Sequence, residues 1–358
     1  MQVYKFPSPE KNKLIFAEQE VEGVLIEIGL LLISLGIILL GAEVFTNGIE
    51  WLGKKLNLAE GAVGSILAAV GTALPETMIP VIAILFGAEE AGEEIGIGAI
   101  LGAPFMLSTL AFFISGLAVI IYRKRRPDFP RMHIDTSVMG RDLGFFLVVY
   151  SVAIAAAFLQ AHVWKTVVSV GLVAAYAYYV YLTLQEEEKL GEDHHLNPLF
   201  LARKNLSPGI GIILTQVAAA LGLIVMGAHI FVDSVDTIAA AVGVPRFILA
   251  LIIAPVATEL PEKFNSIIWL SKGKDTLALG NITGAMVFQS SLIPALGIAL
   301  TNWVLTTGAF LSAALAIGSA AAVWYQIVTK KHLTPYILMI GGGFYIVFVV
   351  LVVSGVIH

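Results

Sequence analysis

The chain has 358 residues, 58% of them hydrophobic and only 13% charged, with a mean hydropathy of +0.89. A soluble domain carries about 25% charged residues, so soluble globular architecture is excluded, and the apolar weight excludes intrinsic disorder as well. A net charge of −5 offers no basic field for nucleic acid, and the absence of cysteine excludes disulfides, thiolate metal sites and cysteine nucleophiles.

At about 20 residues per membrane-crossing helix, this length allows about ten spans. Residues 1–22 mix both signs of charge without a short apolar core and cleavage site, and are expected to form a polar tail rather than a signal peptide. Ten apolar stretches follow, over roughly 24–46, 59–87, 95–121, 143–161, 163–184, 209–232, 245–270, 276–300, 304–328 and 334–357. They are continuous rather than alternating, which argues against a β-barrel. The expected fold is therefore an all-α polytopic membrane protein of ten transmembrane helices. The segment 185–208, with Glu186–Glu188 and His194–His195, reads as a solvated linker between halves at 23–184 and 209–358. Loops after the odd-numbered spans carry fifteen Lys and Arg, six of them between Arg123 and Arg141, against five on the opposite side. That bias predicts cytoplasmic odd loops, a cytoplasmic linker and two extracellular termini in a multi-pass plasma-membrane protein.

The two halves resemble each other. A shift of 186 lays Gly41-Ala42 and Phe45 on Gly227-Ala228 and Phe231, and Thr72, Leu74, Pro75 and Glu76 on Thr258, Leu260, Pro261 and Glu262. A shift of 182 lays Gly98 and Gly102-Ala103 on Gly280 and Gly284-Ala285. Five spans per half is an odd number, so the second half enters the membrane from the opposite side. Inverted repeats of this kind mark transporters that bind substrate near the midplane, between the repeats.

Each half places Thr-x-Leu-Pro-Glu in its second span, as GTALPE at 71–76 and ATELPE at 257–262. An ionisable group there costs at least about 2.5 kcal/mol and is a functional candidate by default. Proline removes a backbone donor and frees the carbonyl four residues earlier, so a helix break is expected at Pro75 and Pro261. The glutamate that follows would lie in the first turn of a new half-helix, where the dipole favours negative charge. Carbonyl, hydroxyl and carboxylate are hard oxygen ligands, suited to Na⁺, Ca²⁺ or Mg²⁺.

GTALPE with GAILGAPF, and ATELPE with GNITGAMVF, resemble the paired α-repeats of the cation/Ca²⁺ exchanger superfamily, which includes the sodium/calcium exchangers. The family pattern is approximately G-T-S-x-P-E followed by G-N-x-x-G-S-N, once per half. The resemblance implies antiport of Ca²⁺ against Na⁺ or H⁺ without a cofactor, with inorganic cations and the lipid bilayer as partners and no obligatory protein partner. Carried over by position, it makes Thr72, Glu76, Thr258, Glu262 and Asn281 cation ligands, with Glu259 beside them. It also makes spans 24–46 and 209–232 the long helices that slide to expose the site alternately. This chain departs from the pattern at Ala73, Ala257, Ala99, Ala103, Pro104, Ala285 and Met286, which thins the polar lining. A count of three Na⁺ per Ca²⁺ is accordingly not expected. H⁺ as driving ion and Mg²⁺ as cargo gain weight, because neither demands a full cage of protein oxygens.

Glu259 and Lys263 stand where the family has small or apolar residues. Four apart with the acid first, they are expected to pair and return the site to the charge of Glu76 and Glu262. Gln289 and Thr283 read either as extra oxygen ligands or as helix–helix hydrogen bonds. The cluster Glu89, Glu90, Glu93 and Glu94 reads as a helix start or a cation-gathering vestibule. His229 stands where the first half has Glu43, and Asp233 and Asp236 are expected at an exposed end of span six. A channel and an intramembrane hydrolase are the competing classes. Against the hydrolase, the spans hold no aspartate pair, no Gly-x-Ser-x-Gly and no His-Glu-x-x-His.

Overall fold

The computed structural model describes residues 9–56, 73, 76–187, 197–202 and 207–357, with side chains at all of these except 9–21, 184, 186–187, 257 and 260–265. The helices are α1 (Pro9–Lys55), α2 (Glu76–Phe86), α3 (Glu89–Ile121), α4 (Thr136–Ala155), α5 (His162–Glu187), α6 (Ile210–Val242), α7 (Arg246–Ser271), α8 (Asp275–Leu300), α9 (Thr307–Lys330) and α10 (Pro335–Val353). Eight are long and apolar enough to cross a membrane; α2 and the Arg246–Val256 part of α7 are shorter apolar stretches. The fold is all-helical, as the continuous apolar runs require.

Local chemistry sets several boundaries. Asp135 caps α4 by accepting from Ser137 N at 2.9 Å and Val138 N at 3.2 Å. Thr306 caps α9 through Ala309 N at 3.2 Å, and Gly243 closes α6 in the left-handed region at φ +68°. Helices also outrun the apolar stretches. α1 begins at Pro9, so residues 9–22, expected as a tail, extend the first span as helix; the run 10–22 holds neither proline nor glycine, and lysine and glutamate are good helix formers. α4 starts at Thr136 rather than near 143, and α6 continues to Val242.

α3 and α8, equivalent in the two halves, form the centre: their most apolar windows are 67% buried, against 22% for α1 and 17% for α5. The largest core cluster joins α3, α4, α8, α9 and α10 around Phe105, Phe112, Phe146, Tyr150, Trp303 and Phe348. In α3 a π turn at Leu107–Ala111 follows Pro104, and the Ser319 hydroxyl on α9 donates to the Ser108 carbonyl at 2.5 Å. The outward faces of α1 and α5 expose Leu25, Leu32, Ile33, Val163, Val167 and Val170, as a lipid-facing surface requires.

α1 and α6 pack against each other and cross at glycines. A Cβ on Gly41 would lie 2.8 Å from Ile224 Cγ1 and 3.2 Å from Ala220 O. One on Gly227 would lie 2.8 Å from Ile38 Cγ1 and 3.0 Å from Ser34 O. Ser34, Ile38 and Gly41 become Ala220, Ile224 and Gly227 under the shift of 186, so the crossing is reciprocal and the repeat is a pseudo-two-fold in space. The second interface between halves is α3 on α7, where a Cβ on Gly98 or Gly102 would lie 2.4 Å from Phe247 O or 2.3 Å from Leu251 O. The C-terminal ends of α1, α3, α7 and α9, with Lys54, Arg123, Lys272 and Lys330, share one face, the basic face.

Candidate functional site

Glu76 is the first residue of α2 and Glu259 lies midway along α7; they are 8% and 1% exposed. Each half thus buries a carboxylate within its second span, against the cost of removing a charge from water. Glu259 Oε1 accepts a long hydrogen bond from Gln289 Nε2 on α8 at 3.4 Å. Gln289 thus links α8 to Glu259 on α7 through its amide nitrogen. The Thr258 hydroxyl, 2% exposed, donates to Ala254 O at 3.0 Å within its own helix. Asn281 is half-buried on α8. Thr72 and Pro75, and the side chains of Glu262 and Lys263, lie outside the described residues, and with them the expected Glu259–Lys263 pair.

The helix break expected at Pro261 does not occur: α7 runs without interruption from Arg246 to Ser271. Proline deletes one donor, the one that would bind the Ala257 carbonyl, and the flanking turns carry the helix across the gap. Packed neighbours make that loss tolerable inside a membrane protein.

Thr283 resolves as a helix–helix contact too, with a partner the sequence reading missed. Its hydroxyl donates to Asp142 Oδ2 at 2.8 Å, and Tyr179 OH on α5 donates to Asp142 Oδ1 at 3.1 Å. Arg141 Nη2 lies 3.3 Å from the same oxygen. Asp142, 2% exposed, therefore joins α4, α5 and α8. The apolar run that marks the fourth span starts one residue later, which hid this acid in the preceding loop. A loop arginine was hidden in the same way. Arg126, counted among the basic residues of the loops, has a side chain only 8% exposed and forms a 2.7 Å ion pair with Asp275 at the start of α8. It also donates to Leu270 O.

At the opposite face, Glu89 and Glu90 open α3, and Glu93 Oε1 accepts from Asn302 N at 3.1 Å. His229 is half-buried, with Nδ1 2.9 Å from Val225 O and its ring 5.5 Å from that of Phe86. Asp233 is exposed as expected, whereas Asp236 is half-buried and paired with Arg246. Among the described residues, no three His, Asp or Glu side chains converge as a metal cluster.

The profile of the family described as sodium/calcium exchanger protein matches residues 26–185 and 212–354, nearly the whole of both halves. Inner membrane protein YrbG of Escherichia coli (strain K12) is 22% identical over 272 residues, which cover 75% of this chain and 78% of that one. Among solved structures, the H⁺/Ca²⁺ exchanger CAX superposes with a TM-score of 0.68 at 14% identity, over 97% of this chain and 89% of its own. The sodium-calcium exchanger NCX_Mj superposes with a TM-score of 0.53 at 18% identity, over 91% of this chain and 98% of its own. At these identities the two structures share the fold with this chain.

Proposed function

The chain belongs to the sodium/calcium exchanger protein family, and from that premise we propose that it exports Ca²⁺ in exchange for Na⁺ through one central site that opens alternately to each side. Glu76 and Glu262 are the primary ligands in this reading, with Thr72, Thr258, Glu259 and Asn281 around them. The observation that carries it is the burial of Glu76 at the start of α2 and of Glu259 in α7, three residues before Glu262, the repeat counterpart of Glu76, inside a fold whose halves are related by a pseudo-two-fold. Two glutamates neutralise one divalent ion or two monovalent ones, so the ions exclude each other. A bare dicarboxylate is costly at the midplane, so the site reorients only when its charge is compensated; this makes exchange obligatory. The fifteen-to-five distribution of basic residues supports a basic face in the cytoplasm; the plasma membrane is the location this reading assigns.

H⁺ coupling is the second reading, and a specific observation favours it. Ala99, Ala103 and Pro104, at first-repeat positions where the family pattern has Asn or Ser, are buried without side-chain oxygens. The three first-repeat positions thus supply no side-chain oxygen to a Na⁺ cage, and a proton on a carboxylate needs no such cage. Ca²⁺ flux in proteoliposomes, with Na⁺ and pH gradients imposed separately, decides between the two drivers. E76Q and E262Q are each expected to abolish flux while the protein remains folded; flux at the wild-type rate in either removes that residue from the site. For the proposed Glu259–Lys263 pair, K263M and E259Q should each impair exchange and the double variant should recover it; strictly additive defects would show the two to be independent.

A further inference from the structure

On the basic face, a cavity of about 560 Å³ opens between the α3–α4 loop and the α9–α10 turn. It sits where four spans end, at Ile121, Thr136, Lys330 and Pro335. Its two walls are joined by an antiparallel bridge, with Met132 N donating to Leu333 O at 3.0 Å. Arg131, His133, Lys331 and His332 line it, with Asp128 as the one acid among the lining residues.

The charges are unbalanced. Asp128 Oδ2 is already 2.8 Å from His133 Nε2. The loop between α3 and α4 carries Arg123, Lys124, Arg125, Arg126 and Arg131 against Asp128 and Asp135, and Asp135 is engaged as the cap of α4. Only Arg126 finds a buried carboxylate, Asp275. Among the described residues, the side chains of Arg131 and Lys331 form no hydrogen bond or ion pair. Both side chains are exposed and line the same opening, so they present unpaired positive charge to an anion that enters it.

The surroundings select the kind of anion. Phe129, part of the cavity wall, meets Tyr336 edge-on with ring centroids 6.3 Å apart, and Tyr336, in the first turn of α10, is 55% exposed. Tyrosine at a span end marks the headgroup level of a bilayer. A phosphate held by Arg131 and Lys331 would therefore have acyl chains leaving over an aromatic surface. We propose that this cavity binds the headgroup phosphate of an anionic phospholipid, with Arg131 and Lys331 as its donors. The same loop is tied to α8, since Asp275 Oδ2 accepts from His133 N at 2.9 Å and Thr276 Oγ1 accepts from Asp135 N at 2.9 Å. A bound headgroup braces the loop over the first turn of the helix that carries Asn281.

The test is thermal unfolding of the detergent-purified full chain, titrated with short-chain phosphatidylglycerol, with phosphatidylcholine of equal chain length, or with inorganic phosphate. Phosphatidylglycerol should raise the melting temperature saturably, and phosphatidylcholine should not. R131Q/K331Q should weaken the apparent affinity for phosphatidylglycerol at least tenfold. K272Q/K274Q, which removes the same charge from the same face outside the cavity, should change it less than twofold. Equal effects of the two double variants would reduce the site to diffuse face charge and overturn the proposal. So would equal stabilisation by the two lipids. Saturation by inorganic phosphate at the affinity of the lipid would overturn the lipid assignment.

Discussion

The two ends of the α1–α6 pair differ, although its middle is symmetric. At the centre, Gly41 and Gly227 make reciprocal contacts, each helix notched to admit the other. At the basic face the pair is strapped. Asn47 Nδ2 donates to Asn197 O and Pro198 O at 3.3 and 3.4 Å, and Trp51 Nε1 donates to Asn197 O at 2.9 Å. Phe200 N donates to Asn47 Oδ1 at 3.2 Å, Leu201 N to Gln216 Oε1 at 2.9 Å, and Gln216 Nε2 to Asn47 Oδ1 at 3.0 Å. Leu199 is buried against Trp51 and Ile213 beneath this network. At the other end, Ser234 Oγ on α6 donates to Glu27 Oε2 on α1 at 2.9 Å. A repeat can duplicate helices and their crossing, but among the described residues the segment 197–202 has a place at one end of the pair only. The strap is what the pseudo-symmetry lacks, and through residues 197–202 it bonds α1 to α6 at the basic face.

If α1 and α6 move as a unit during exchange, cross-links sort by what they join. The chain has no cysteine, so introduced pairs are unambiguous. In G48C/V217C, where a Cβ on Gly48 would lie 2.8 Å from Val217 Cγ2, bridging should leave Ca²⁺ flux within about twofold of the reduced protein. In F86C/H229C, which ties α6 to α2, bridging should abolish flux and reductant should restore it. Loss of flux in the first pair would show that α1 and α6 move against each other.

The central symmetry is open to a matched pair of substitutions. G41L and G227L should each destabilise by about 1–3 kcal/mol through overpacking, and by similar amounts, since each meets the same equivalent neighbours. Melting temperatures that differ widely would break the reciprocity.

The ends should respond unequally. Q216A strands a buried amide network and should cost about 1–3 kcal/mol, whereas S234A should cost about 0.5–1.5 kcal/mol. Equal losses in thermal melts would mean that the strap adds nothing to the basic end.

The smallest effect concerns the cap of α4 beside the proposed headgroup cavity. The Ser137 hydroxyl, followed by the Val138 N–H, holds the Asp135 carboxyl below the usual carboxylate range. The charged form stabilises the fold above the unfolded carboxylate value, and that contribution is lost as pH falls through the lower folded value. D135A should cost about 1 kcal/mol at neutral pH. The difference between D135A and the parent should vanish in acid; a gap that persists would assign the loss to packing.

The membrane class, the helical fold and the duplication are legible in the amino-acid order, because a bilayer demands continuous apolar runs and a shift of 186 aligns the two motifs. So are the buried acids Glu76 and Glu259, since charge inside an apolar run stands out. Which polar groups link one helix to another depends on the packed fold. Gln289 reaches Glu259, Thr283 reaches Asp142, and Arg126 reaches Asp275, each across to another segment of the chain. Asp142 and Arg126 were illegible for one reason: hydropathy marks where an apolar run ends, whereas burial is set by the neighbours that cover a helix end. The run through Pro261 has a related cause, because one missing donor is a local property and the persistence of α7 depends on what surrounds it.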